Sequence, residues 1–364
     1  MILETEMHTT QSSEESILIN GASRQPLMLS IIIPAHNAAD TLKRCVSSVM
    51  EGGVSSDLEI LIVENGSTDE TLSAATTLYE KWPDTIRVLT SKTGVSNARN
   101  VGIDSARGEW ILFLDADDRL SIAGMRTMVN RAAELSADIL AGDIQRVYNN
   151  SQELHRYSST PIIWDGETLS AFSDEVLKPQ TFMGNAWGKV FNRSWLMKNG
   201  LRFNAALSLA EDAEFMLNCA IHMRKAAYLP VECYYYHLNM NSAVRRFKEE
   251  LPGEYIAAIE AIHSILGQTD SAAHRQSFET FVLYHLLLIA VNYSFHPDNP
   301  RPLREQLRCY RSLAKSEPFA TALKRPNYRD FSLSRKVPLF FTARGFCLGA
   351  LCVARVRHIM FKVK

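Results

Sequence analysis

The 364-residue chain lacks any apolar run of the ~20 residues that a membrane-spanning helix needs. Its nearest approach, Phe346 to Ala354, sits between Arg344 and Arg355 and is much too short. A secretory signal is missing too: residues 1–26 carry Glu4, Glu6, Glu14 and Glu15 without an apolar core and read as a flexible leader. The six cysteines (Cys45, Cys219, Cys233, Cys309, Cys347, Cys352) form no C-x-x-C pair and have no histidine spacing suited to zinc. Scattered among apolar neighbours, they read as buried thiols in a reducing cytoplasm. With 39 Lys and Arg against 40 Asp and Glu, the chain has no basic excess, so no nucleic-acid partner is expected. Internal repeats and low-complexity tracts are also absent.

What is present is an ordinary globular composition, 46% hydrophobic and 22% charged, enough for one large or two modest domains. Leu27 to Ile33, Leu58 to Val63, Ile86 to Leu89 and Trp110 to Leu114 read as buried strands. Between them Ala38 to Met50, Thr68 to Tyr79 and Ser96 to Ala106 read as helices, the second with acids in its first turn. This alternation predicts an α/β fold, with a Rossmann-like parallel sheet over residues 27–118. Beyond Leu120 the spacing predicts a helix over Met125–Leu135, a strand over Asp138–Tyr148, a polar segment over Gln145–Pro161, and further elements over Asn185–Phe191, Ala210–Met223 and Ala226–His237. From Glu249 the chain reads as mostly helical.

The sharpest chemical feature is Leu112-Phe113-Leu114-Asp115-Ala116-Asp117-Asp118, an apolar strand that ends in three carboxylates within four residues. In an open parallel sheet, ligands sit beyond the carboxyl ends of the strands. Like charges packed this closely favour a cation, and hard oxygen ligands on a short loop suit Mn²⁺ or Mg²⁺. Taken alone, the cluster reads equally well as a solvated acidic turn. In the second half, Glu211 and Asp212 open an apolar helix and could serve only its dipole. Trp187 and Tyr234-Tyr235-Tyr236 fit core aromatics or sugar-stacking surfaces, and Lys189 fits a surface lysine or an anion contact.

Three motifs precede the acidic cluster, each at a strand-to-helix junction or helix start: Ile31-Ile32-Ile33-Pro34-Ala35-His36-Asn37, Val63-Glu64-Asn65-Gly66-Ser67-Thr68-Asp69, and Gly94-Val95-Ser96-Asn97-Ala98-Arg99-Asn100-Val101-Gly102. In this order, with Asp115-Ala116-Asp117-Asp118 following, the chain resembles the family 2 glycosyltransferases of GT-A fold. The likeness continues through Asn185-Ala186-Trp187-Gly188-Lys189, Glu211-Asp212 and the three tyrosines to Ser242, similar to bacterial surface-polysaccharide assembly members. It implies a GT-A catalytic domain over 27–245, with a nucleotide half (27–120) and an acceptor half (121–245), followed by a helical region over 246–364.

The resemblance also implies roles. Pro34 and His36 would line the base and ribose pocket, and Glu64 with Asn65 would meet the base. Arg99 would buttress the nucleotide site. Asp115, beside Ala116, would face the ribose, and Asp117, with Asp115 near it, would hold Mn²⁺ or Mg²⁺ on the diphosphate. Asp118 would shape the loop. Asp212 would be the general base of an inverting transfer, with Trp187, Lys189 and Glu211 on the acceptor side. The implied partners are a UDP-sugar donor and a saccharide acceptor, lipid-linked in this setting. The sequence departs from the usual pattern at His36 (often Tyr), Glu64-Asn65 (often two aspartates), Ala210 (often Gly) and His237 (often Arg).

The tail from Phe331 to Lys364 holds seven Lys or Arg and no acid, interleaved with Pro338-Leu339-Phe340-Phe341 and Phe346 to Val353. It suits an interfacial helix on the inner face of a membrane, which would make a cytoplasmic protein peripheral. The alternative is a terminal helix packed on the domain with its basic face in water. Two rival functions remain. A nucleotidyltransferase would show a Gly-rich, Lys/Arg-bearing phosphate loop, which Pro34-Ala35-His36-Asn37 is not. A non-catalytic sugar-binding protein would keep the fold with a damaged site, and the carboxylates here are intact.

Overall fold

Strand β1 (Leu29–Ala35) is buried along its whole length. Ile31 and Ile33 enter one core and Ile32 the other, so the strand reads as a continuous apolar run rather than an alternation. Helix α1 (Ala39–Met50) lays Leu42, Cys45, Val46 and Val49 on the sheet, the stripe its spacing predicts. Then follow β2 (Leu58–Glu64), α2 (Thr71–Lys81), β3 (Ile86–Thr90), α3 (Val95–Ser105) and β4 (Trp110–Phe113). β1 pairs in parallel with β2 and β4, and β2 with β3, giving the order β3-β2-β1-β4. This computed structural model describes residues 28–52, 57–148, 151–238, 247–267, 272–324, 326 and 328–363. The leader, Leu27, Ser242 and the boundary expected at 245/246 lie outside the described residues.

Helix α2 begins at Thr71, three residues later than its pattern suggests, and its first turn holds no acid. Asp69 instead precedes the helix and accepts the Thr71 N–H at 3.0 Å. A short polar side chain that competes for backbone N–H groups ends a helix as readily as it favours one.

Past β4 the pairing changes direction. The chain continues through β5 (Arg119–Leu120), α4 (Ile122–Leu135), β6 (Ile139–Val147), β7 (Gln152–His155), β8 (Ile162–Asp165), α5 (Leu169–Leu177), β9 (Lys189–Asn192), α6 (Arg193–Lys198), α7 (Glu211–His222) and β10 (Lys225–His237). β9 runs antiparallel to both β4 and β6, while β10 runs parallel to β6. One ten-stranded mixed sheet results, β3-β2-β1-β4-β9-β6-β10-β5, with β7 on β6 and β8 on β10. The polar segment expected over Gln145–Pro161 is in part a hairpin arm: β7 pairs antiparallel with β6, its polar residues facing water. Exposed edge strands carry such residues because a bare apolar edge would pair with other chains.

Helices α1, α2 and α4 cover one face of the sheet, and α3, α5 and α7 the other. The later part is helical, as expected: α8 (Leu251–Leu266), α9 (Ala272–Ile289) ending in a π-turn (Ala290–Ser294), α10 (Leu303–Ala314), α11 (Phe319–Lys324), α12 (Leu333–Ala343) and α13 (Leu348–Val363). Ile259, Leu283, Leu339 and Ala350 from these helices share one core with Phe113, Phe191 and Phe215 of the α/β part. Cys45, Cys219, Cys233 and Cys347 are buried thiols as expected, whereas Cys309 and Cys352 are exposed. Among the described residues no helix is long and apolar enough to cross a membrane.

Candidate active site at the carboxyl edge of the sheet

The first two junctions are stitched to each other. Asn37, held at φ +49°, accepts the Thr68 N–H on its side-chain oxygen at 2.8 Å and donates its own N–H to Ser67 Oγ at 3.1 Å. Thr71 Oγ1 accepts the Ala38 N–H at 2.7 Å and donates to Asp69 at 2.5 Å, and Asp69 accepts the Ala39 N–H at 3.2 Å. These polar side chains therefore satisfy backbone donors at the starts of α1 and α2, which would otherwise lack partners. Pro34 lies buried in β1, opposite Val63. His36 is exposed, with Nδ1 3.2 Å from the Asn65 carbonyl. Glu64, at the end of β2, accepts the Ser67 N–H, and Asn65 donates its own N–H to Ala35 O at 3.1 Å. The structure thus gathers His36, Glu64 and Asn65 at one edge.

Helix α3 carries the cation of the site. Gly94 opens it at φ +121°, a conformation costly for any residue with a Cβ. A Cβ at Gly102 would meet Ile32 Cγ2 at 2.3 Å, so the helix lies on β1 only because that position is bare. Between them Arg99 is 3% exposed. Its guanidinium donates to Asp212 Oδ1 at 2.6 Å, to Glu211 Oε1 at 3.1 Å and to Asp115 Oδ1 at 3.1 Å. It also sits 5.0 Å from the Phe203 ring centroid. Burial opposes the positive charge, and Asp212, Asp115 and Glu211 more than offset that opposition.

The acidic loop divides its three carboxylates between two tasks. Asp118 is fully buried: Tyr234 Oη donates to Oδ2 at 2.6 Å and the His237 N–H to Oδ1 at 2.7 Å. Burial, followed by the charges of Asp115 and Asp117, holds its carboxyl well above the usual range. The Asp118 N–H donates to Asp115 O at 3.0 Å, so Asp118 braces the loop, as its expected role requires. Position 237, often Arg in the family pattern, serves here through its backbone N–H, which any non-proline residue supplies. Asp115 and Asp117 are partly exposed, and Ala116 between them is buried. Arg44, which no motif flags, donates to the Asp117 carbonyl at 2.7 Å.

In the second half of the sheet region, Ala210 takes φ +55° just before α7, a left-handed conformation that glycine adopts freely and Ala adopts at a cost of ~1–2 kcal/mol. This explains why glycine is usual there. Glu211 and Asp212 sit in the first turn of α7, and neither caps it; their oxygens face Arg99. Asp212 Oδ2 also accepts the Ala186 N–H at 3.3 Å. Burial and the neighbouring Asp212 raise the Glu211 carboxyl to about 7 against the pull of Arg99. Asp212 is likewise raised by burial, with Arg99 opposing.

Lys189 is 1% exposed, and its Nζ donates to Asn185 O at 2.7 Å and Phe182 O at 2.8 Å. Burial lowers its ammonium to about 7. It therefore clamps the 182–188 loop that presents Ala186 to Asp212. Trp187 is buried, stacked on Tyr234 and Tyr236 at centroid distances of 5.0 and 5.3 Å and tilted on Phe182 at 5.4 Å.

One guanidinium faced by three carboxylates leaves the cluster net negative when all are ionised. Among the described residues no group of three His, Cys, Asp or Glu gathers as a cation cage. Asp115 and Asp117 offer hard oxygens at a partly exposed edge. Such a set suits a Mg²⁺-like ion that takes the rest of its shell from ligand phosphates and water, so the residues present fit that group.

A parallel β-α half joined through an antiparallel strand to a second half, with a carboxylate loop at the join, is the GT-A class of fold. The crystal structure of S. aureus TarS 1-349 in complex with UDP-GlcNAc superposes with a TM-score of 0.62 at 18% identity, covering 91% of this chain and 92% of that one. In sequence the chain is similar to the succinoglycan biosynthesis protein ExoO of Rhizobium meliloti (strain 1021), 28% identical over 254 residues, 68% of this chain and 72% of ExoO. It is also similar to EpsH of Bacillus subtilis (strain 168), provisionally named a glycosyltransferase, 24% identical over 325 residues, 84% of this chain and 89% of EpsH. Residues 30–200 match the model of Glycosyl transferase family 2. Residues 30–200 thus resemble a family 2 glycosyltransferase domain.

Proposed function

We propose that the protein moves a hexose or N-acetylhexosamine from a UDP-sugar, with inversion, to a lipid-linked saccharide acceptor during bacterial surface-polysaccharide assembly. The observation that carries this reading is the convergence on Arg99 of Asp115 from the nucleotide half and Asp212 from the acceptor half. A donor lying along Asp115 would thereby have its anomeric carbon near Asp212. ExoO is named for biosynthesis of a polysaccharide, and TarS has been crystallised with UDP and with UDP-GlcNAc, which makes UDP the first nucleotide to try.

In this reading Pro34, His36, Glu64 and Asn65 bound the base and ribose, with Arg99, Asp115 and Ala116 completing the nucleotide side. Asp117, with Asp115 beside it, would hold Mn²⁺ or Mg²⁺, which when bound offsets the charge of the leaving diphosphate. Asp212 takes the proton of the attacking hydroxyl, helped by a carboxyl already raised towards the working pH. Trp187 and Glu211 border the acceptor, and Lys189 sets the loop between them. Exposed Leu333, Phe340, Phe341, Phe346 and Leu348 on a basic tail support peripheral attachment to an inner membrane face.

Calorimetry with UDP, GDP and dTDP, with and without Mn²⁺, tests the donor side: UDP binds tightest, and Asp117→Ala loses the Mn²⁺-dependent part. Equal binding of the three nucleotides, or Asp117→Ala behaving as wild type, overturns that assignment. Asp212→Asn keeps UDP binding and slows transfer by about 10²–10⁴-fold. The acid limb of the wild-type pH profile lies above the ordinary Asp value of ~3.9, because the base must be ionised and its carboxyl is raised. Transfer that survives in Asp212→Asn moves the base elsewhere.

A further inference from the structure

A groove of about 680 Å³ runs between the acceptor half and the C-terminal helices, within the size range of small-ligand sites. Phe182 and Tyr236, Leu287 of α9, and Val353 and Val356 of α13 line it. Three arginines, Arg146, Arg335 and Arg357, also line it, and among the described residues its lining includes no Asp, Glu, Asn or Gln. Arg146 lies 4.8 Å over the Phe182 ring and Arg335 5.2 Å over the Tyr284 ring. A guanidinium held over an aromatic face can still present N–H donors to an anion. Outside the lining, exposed Glu153 approaches Arg146 at 3.9 Å, a weak surface pair.

We infer that this groove holds the lipid of the acceptor, a long hydrocarbon chain with its phosphate on Arg146. An apolar trough with cations and no acid matches a long hydrocarbon bearing phosphate. The groove borders the site's aromatic packing: Phe182 and Tyr236 both pack on Trp187, next to Ala186, whose N–H binds Asp212. Val356 lines the groove and is exposed, as are Phe340 and Phe341 of α12 and Leu348 of α13. A carrier entering from a membrane would lie along α13 with its phosphate towards Trp187. This inference rests on the donor reading above and adds the place of the acceptor's lipid.

The test is calorimetric titration of the full chain with farnesyl phosphate, alongside farnesol, inorganic pyrophosphate and anionic phosphatidylglycerol vesicles. Farnesyl phosphate should bind saturably at one site, with farnesol weaker by at least about tenfold. Arg146→Ala, and Cys352→Trp placed at an exposed groove position, should each weaken it by about tenfold or more, with unchanged circular-dichroism spectra. Absence of saturable binding, equal binding of farnesol, affinity unchanged in both variants, or binding to vesicles only would overturn the inference. UDP binding by the wild-type protein is measured in parallel. Its loss sinks the donor reading, whereas retained UDP binding without farnesyl phosphate binding sinks this inference alone.

Discussion

The first half of the sheet, up to the acidic loop, and the second half, from α4 to β10, use their polar residues in opposite ways. In the first, Asn37, Ser67, Asp69 and Thr71 hold one another and the starts of α1 and α2, so much of the motif chemistry goes into rigid junctions. In the second, Glu211 and Asp212 turn away from their own helix towards Arg99, which is 113 residues from Asp212 in sequence. Local motifs therefore build the cradle, while the charge chemistry arises where the halves cross. Exposed pairs such as Arg131–Glu134 are worth a few tenths of a kcal/mol, whereas the buried Arg99 cluster cannot lose its cation cheaply.

Removing that crossing has the largest expected effect on stability. Arg99→Met should cost about 3–5 kcal/mol, because three carboxylates lose their counter-charge in a buried place. The sign with pH follows from the raised carboxyls. A folded-state pKa above the unfolded one gives stability that is present at low pH and lost as pH rises through the folded value. Without Arg99 these values rise further, so the melting-temperature deficit should be larger at pH 8 than at pH 5. A deficit independent of pH would mean the arginine matters by packing on Phe203 instead.

Next comes Lys189→Met, which leaves the Phe182 and Asn185 carbonyls without their donor and should cost about 1–3 kcal/mol in chemical denaturation. If Lys189 were instead a direct acceptor contact, transfer would fall with stability intact. The smallest change belongs to the junctions. Thr71→Val should cost about 1 kcal/mol while UDP affinity stays within about twofold. A large loss of UDP binding there would erase the distinction between junction and site.

The fold of residues 29–113 was legible because each strand there is buried on both faces and each helix shows one apolar stripe, both of which leave local patterns. The hairpin arm β7 was not, since an edge strand exposed to water reads like any polar loop. Helix α2 began late because Asp69 serves the Thr71 N–H from outside the helix, a competition invisible to periodicity. In the site, Asp115 and Asp117 stand out as charge at a strand end, whereas Asp212 is marked only by the family resemblance. Arg44 had no such signal, because its partner is the Asp117 carbonyl, and backbone atoms carry no sequence signature. The Arg146–Arg335 groove leaves no local pattern either, because its walls come from elements far apart in sequence: β6, β10, α9, α12 and α13.

By itself the sequence determined the order of strands and helices through β4, the acidic loop that ends β4 and the junction turns, since each depends on neighbours within a few residues. Tertiary structure alone decided that Arg99 joins Asp115 to Asp212, that Asp118 is a buried brace, and that Lys189 clamps a loop. Each of those roles depends on which distant group comes within about 3 Å and on how much water is excluded there. Neither quantity is written in any short stretch of chain.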